Sequence, residues 1–102
     1  MSFDLRVLPA VEHDIEDAVR WYGARAPQQA DRLIQELASV LSRIQDAPKM
    51  FPIAYRTIRR APLRIFPYFV WFLVDAEARR VEVLAVTHQR RDPATTRARF
   101  TR

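Results

Sequence analysis

The feature that most constrains this chain is an unbroken apolar run, Ile65-Phe66-Pro67-Tyr68-Phe69-Val70-Trp71-Phe72-Leu73-Val74. It is about half the ~20 residues an apolar helix needs to cross a bilayer. Aromatic and β-branched residues fill it on both faces, the pattern of a strand covered from both sides. Pro67 has no N–H to give to a ladder, so it marks a bulge or kink at the entrance. Residues 68–74 are then expected to be the centre of a sheet, and the rest of the chain must supply the cover.

The first half supplies it as helices. Residues 3–8 alternate weakly, with Phe3, Leu5 and Val7 on one face, and predict a short strand closed by Pro9. Ile15, Ala18, Val19 and Tyr22 follow at helical spacing. Glu12, Asp14, Glu16 and Asp17 crowd the start of that helix and Arg20 and Arg25 its end, both favourable to the macrodipole. Gly23 and Pro27 read as its stop. Pro27 opens a second helix at no hydrogen-bonding cost, with an expected stripe of Ala30, Leu33, Ile34, Leu37, Leu41 and Ile44. A hairpin of two such helices cannot bury both stripes alone and needs a sheet beneath it.

The second half supplies that sheet. Strands are expected over residues 54–59, over 63–66 running on through the kink at Pro67 into 68–74, and over 80–87. In the last, Val81, Val83 and Ala85 are assigned to one face and Glu82, Leu84 and Val86 to the other. The tail, residues 90–102, is polar and basic and is expected to be frayed or helical. The order is β-α-α-β-β-β: an α+β fold, a helical hairpin packed on a small antiparallel-rich sheet. The length of 102 residues suits one domain spanning 1–102.

Charge divides the chain the same way. Residues 1–48 hold five Arg against eight Asp and Glu, a net of −3; residues 49–102 hold twelve Lys and Arg against four Asp and Glu, a net of +8. A basic half suggests an acidic partner, nucleic acid or peptide. Of the 17 basic residues all but Lys49 are Arg, so a compositional bias toward arginine is the plainer explanation to weigh against it. There is no cysteine, which excludes a disulfide framework and thiolate chemistry and fits a reducing cytoplasm. No signal-peptide pattern opens the chain. One glycine leaves no Gly-rich phosphate loop.

Candidate chemistry is sparse. His13 and His88 are the only histidines and match no metal spacing, so neither metal nor cofactor is expected. Ser2, Ser39 and Ser42 lie at the terminus or in a helix, not on a nucleophile elbow. His88 ends the last strand, where a rigid scaffold positions functional groups. A general acid or base role competes there with a structural one, in which His88 donates to Asp92 or a backbone carbonyl and fixes the tail; the structural role is favoured. Arg56, Arg59, Arg60 and Arg64 cluster in sequence and suit phosphate or carboxylate recognition; a solvated edge kept soluble by charge explains them equally well. In a nuclease using 2′-hydroxyl attack, they would stabilise the charged transition state while Tyr68 or His88 moved protons. Phe66, Tyr68, Phe69, Trp71 and Phe72 read as core before base-stacking platform. Trp21 lies beside the helical stripe and can anchor a partner helix.

Taken in order, these segments resemble the RelE/ParE superfamily of bacterial type II toxins. Leu8-Pro9-Ala10, Asp14-Ile15-Glu16 and Trp21-Tyr22 look like its first helix, and residues 30–41 like its second. Phe66-Pro67-Tyr68-Phe69-Val70-Trp71-Phe72 looks like its central strand. Val81-Glu82-Val83-Leu84-Ala85-Val86-Thr87-His88-Gln89-Arg90-Arg91-Asp92-Pro93 looks like its last strand and H-x-x-R-D-P ending. The resemblance covers nearly the whole chain and is closer to ParE-like members.

The resemblance implies a toxin, associated with growth arrest and plasmid stabilisation, bound by a cognate antitoxin of the ParD-like, ribbon-helix-helix kind, with a toxin dimer or a hetero-oligomer as possible assemblies. ParE-type members poison DNA gyrase and bring no agreed catalytic residues; RelE-type members cut mRNA on the ribosome. The lysine-rich site of the nucleases is missing here, which favours gyrase, while Arg64 and His88 fall where some nucleases place an arginine and a histidine. The alternative sites are therefore Arg64, Tyr68 and His88 for catalysis, and Trp21, Arg56, Arg59, Arg60, Arg64, Arg90 and Arg91 for binding target or antitoxin. A module without toxicity is the third reading.

Overall fold

A computed structural model describes residues 2–100. The elements run β1 (Asp4–Val7), α1 (Pro9–Arg25), α2 (Pro27–Asp46), a 3-10 turn (Pro48–Met50), β2 (Ile53–Tyr55), β3 (Ile58–Pro62), β4 (Tyr68–Asp75), β5 (Arg80–His88) and α3 (Pro93–Ala98). The five strands form one sheet in the order β1-β5-β4-β3-β2. The apolar strand β4 is its centre, as its two-faced composition required. β1 lies parallel to β5, and the remaining pairs are antiparallel. The helical hairpin is the crossover that returns the chain from one edge toward the other. Among the described residues no helix is long and apolar enough to cross a membrane.

Both long helices begin with proline in the first turn. α1 runs through Gly23 and ends at Ala26, which is extended (φ −156°) as a residue before proline prefers. Gly23 therefore does not stop the helix. The α2 stripe is also shifted from expectation: Ala30, Leu33, Leu37, Val40 and Ile44 are buried, whereas Ile34 is 49% exposed. Ile34 sits about a quarter-turn off the axis of that stripe, and Val40 takes its place in the core. Val11 and Ala18 of α1 join these residues over Val70, Phe72, Val81, Val83 and Val86 of the sheet.

The strands depart from expectation in three places. Residues 54–59 are not one strand: Arg56 adopts φ 54° and turns the chain between β2 and β3. Residues 63–66 are a loop. The backbone N–H groups of Arg64, Ile65 and Phe66 donate to the Glu36 carboxylate on α2, at 2.8–3.2 Å, instead of to a neighbouring strand. In β5 the register shifts so that Trp71 faces Ala85 while Phe72 faces Val83. The extra residue, Leu84, is a bulge and reverses the alternation beyond it. Val86 thus joins Val81 and Val83 under the helices, and Ala85 falls on the opposite face with Leu84.

Of the expected tail, α3 is helical, capped by Asp92, whose side chain accepts from Ala94 N–H at 3.0 Å. Thr101 and Arg102 lie outside the described residues.

Candidate functional site

At the end of the sheet where β4 begins and β5 ends, the helical layer leaves a gap. There, the second half of α1 and the ends of β4 and β5 border an open cleft of about 400 Å³. Its floor follows from strand register: Tyr68 and His88 are directly paired across β4 and β5, so their side chains share a face. Their rings meet edge-on with centroids 5.3 Å apart. From α1, Tyr22 comes within 6.4 Å of Tyr68 and packs edge-on against Phe66 at 5.0 Å. Asp14 and Asp17, one turn apart on the same helix, line the acidic side, and Arg91 closes the cleft from the segment after β5.

Trp21 forms the rim and is half exposed. The Arg25 guanidinium lies 3.8 Å over its ring and donates to the Trp21 carbonyl at 2.8 Å. Tyr68 titrates above the usual tyrosine range. Burial is the main cause and the neighbouring Tyr22 adds to it, while Arg91 pulls the other way. His88 does not donate to Asp92. Its Nδ1 accepts the Arg90 N–H at 3.0 Å, so the neutral ring carries its proton on Nε2.

The sequence-predicted residues are divided by the fold. Tyr68, His88, Trp21 and Arg91 share the cleft; Arg64 does not line it. Arg64 has an exposed side chain on the loop pinned by Glu36. Arg59 and Arg60 alternate across the sheet. Arg59 donates to the Phe51 carbonyl at 2.6 Å, while Arg60 lies 4.0 Å over Phe69 on the opposite face. Arg56 is exposed at the β2–β3 turn and stacks on Tyr55. Arg90 is exposed beside His88. The arginines close in sequence are therefore not one patch. Asp14, Tyr22 and Arg25 are members of the site that composition and spacing did not single out. Tyr22 read as core, and Asp14 read as a solvated helix start.

The cleft offers aromatic walls, phenol hydroxyls, a guanidinium and carboxylates. This is a set that holds a side chain or a base. Among the described residues no cluster of His, Cys, Asp and Glu converges to hold a metal ion.

Comparison with known proteins places this architecture. The chain is similar to Toxin ParE2 of Mycobacterium tuberculosis, 36% identical over 94 residues that cover 91% of this chain and 88% of the relative. The fold is shared with the chromosomal ParDE toxin–antitoxin system of P. aeruginosa at a TM-score of 0.74 and 15% identity, covering 85% of this chain and 96% of that one. It is also shared with E. coli RelE in the free state at a TM-score of 0.61 and 16% identity, over 97% and 94% of the two chains. The toxin–antitoxin complex RelBE2 of M. tuberculosis follows at 0.59 and 14%, over 86% and 99%. A family model described as ParE toxin of type II toxin–antitoxin system, parDE, matches residues 5–93. The chain belongs to the ParE toxin family of type II toxin–antitoxin systems.

Proposed function

We propose that this protein is a growth-arresting toxin that acts on DNA gyrase by binding, with no bond chemistry of its own, and that a cognate antitoxin neutralises it. The observation that carries this reading is the division of the candidate nuclease set. Arg64 lies outside the cleft that holds Tyr68 and His88. Within the cleft, the acceptor nitrogen of His88 is occupied by the Arg90 N–H, which leaves no free base on that ring. Tyr68, pushed up by burial, is a poor base at neutral pH. What is left is a preorganised binding cleft with Arg25 held on Trp21 at its rim and the exposed Arg91 in its lining. An acidic, amphipathic antitoxin segment complements those charges.

Expression without antitoxin should arrest growth and induce the response to DNA damage, and the purified protein should inhibit gyrase supercoiling. Arrest with supercoiling intact overturns the gyrase assignment. One observation favours a second reading, ribosome-dependent cleavage of mRNA: Tyr68, His88 and Arg91 do share one cleft. That reading requires transcript cleavage in a translating extract, lost in His88→Ala. Harmless overexpression of a folded protein would leave the family member as a binding module.

A further inference from the structure

The end of β5 that carries His88 is held by something other than a strand. β1 stops pairing at Val7, opposite Val83. Beyond that point the outer edge of β5, which includes the Leu84 bulge, has no neighbouring strand among the described residues. Two side chains take over. The Asp14 carboxylate on α1 accepts the Val86 N–H at 3.0 Å, and the Arg99 guanidinium donates to the Leu84 carbonyl at 3.3 Å. Arg99 also donates to both oxygens of Asp14 at 3.1 Å. Side-chain exposures of 28% for Arg99 and 15% for Asp14 place the pair below the surface. Removing either partner therefore leaves a partly desolvated charge and a loose strand end.

The pair is also a shared wall. Asp14 and Val86 line the cleft that holds Tyr68 and His88. Arg99 and Leu84 line a second groove, of about 430 Å³, on the opposite side of the sheet. That groove is bordered by Phe100, whose ring centroid lies 5.7 Å from that of Trp71. One ion pair thus ties three distant segments together: α1, the bulge of β5 and the stretch after α3.

We propose that Asp14 and Arg99 are positioning residues that make docking of the C-terminal segment and the geometry of the His88 cleft a single equilibrium. The inference rests on the reading above only in treating the cleft as functional. When Arg99 and Phe100 sit in the rear groove, Asp14 is oriented, Val86 N–H is satisfied and His88, two residues on, is held against Tyr68. When the segment lifts, all three are released together.

Amide hydrogen exchange on the full chain tests this. Arg99→Ala should speed exchange about tenfold at Val86 and Arg90 as well as in the tail, as expected for amides in one cooperative opening unit. Arg99→Lys keeps the charge without the fork and should restore part of the protection at Val86. Phe100→Ala removes a docking contact but no member of the pair, and should raise exchange at Val86 and at Arg99 together. Tail exchange that rises while Val86 and Arg90 stay protected, in either the Ala or the Phe100 variant, overturns the coupling. If Arg99→Ala proves too unstable to measure, the Phe100 and Lys variants decide the matter. Coupled exchange with undiminished growth arrest leaves the equilibrium standing and removes the cleft from the functional reading, so the two failures are distinct.

Discussion

The two faces of this sheet are apolar by different means. The front face presents Val70, Phe72, Val81, Val83 and Val86 to a layer of two helices, which return Leu33, Leu37, Val40 and Ile44. The rear face presents Ile58, Trp71 and Ala85, with Phe69, Leu73 and Leu84 around them, and its cover is local. Arg60 lies 4.0 Å over Phe69 and 5.2 Å over Trp71, Phe100 meets Trp71, and the indole N–H donates to Thr87 at 2.9 Å. A front core closed by interlocking aliphatics has one good packing. A rear core closed by a guanidinium and a terminal segment has a cover worth about 0.5–1 kcal/mol for each cation–π contact. Stability should therefore reside in front, and exchangeable contacts behind.

The sharpest way to break that contrast is to cut each side in turn. Phe72→Ala, at a position with no solvent exposure, should cost about 3–5 kcal/mol in urea unfolding, since the front layer cannot collapse onto the gap. Glu36→Ala should cost less, about 1–2 kcal/mol, because three loop N–H groups lose a charged acceptor but can turn to water. Its exchange signature should be confined to residues 64–66. Phe100→Ala should cost about 1 kcal/mol, the share of a Phe burial that a half-buried ring contributes. A Phe100→Ala cost as large as that of Phe72→Ala would show that the tail is part of the core.

This asymmetry also explains what could be read from the residues alone. The front face was legible because its signals are local and regular: β4 at the centre follows from its two-faced apolar run, and the helical hairpin from its 3.6-residue stripes. The rear face and the cleft were not legible, because they depend on departures from period. The Leu84 bulge moves Val86 to the front, where it lines the cleft, and no glycine announces it. Arg56 takes a left-handed turn that its residue type does not favour. The Arg run looked like one cluster because four neighbours in sequence were read together, yet strand alternation sends Arg59 and Arg60 to opposite faces. Asp14 and Arg99 are 85 residues apart, so no local pattern could pair them. Family resemblance supplied the fold and the order of motifs, but not which side chains converge.

The smallest effect tests whether the front face stays dry out to its open end. Tyr68 faces the cleft, and burial there raises its ionisation above the ordinary tyrosine value of 10.0, with Tyr22 adding and Arg91 opposing. The native chain therefore holds the phenolic proton to higher pH than the unfolded chain does. Below pH 10 both states are protonated, and the raised value contributes no slope. Above it the unfolded chain releases its proton first, so stability falls as pH rises, until the native phenol ionises too. Tyr68→Phe should flatten that part of the alkaline stability curve, and difference absorbance of the phenolate should show the wild-type transition displaced upward. Arg91→Ala removes the one opposing cause and should displace it further. If the wild-type phenol titrates at the ordinary tyrosine value, water reaches the floor of the cleft, and the dry front face ends before Tyr68.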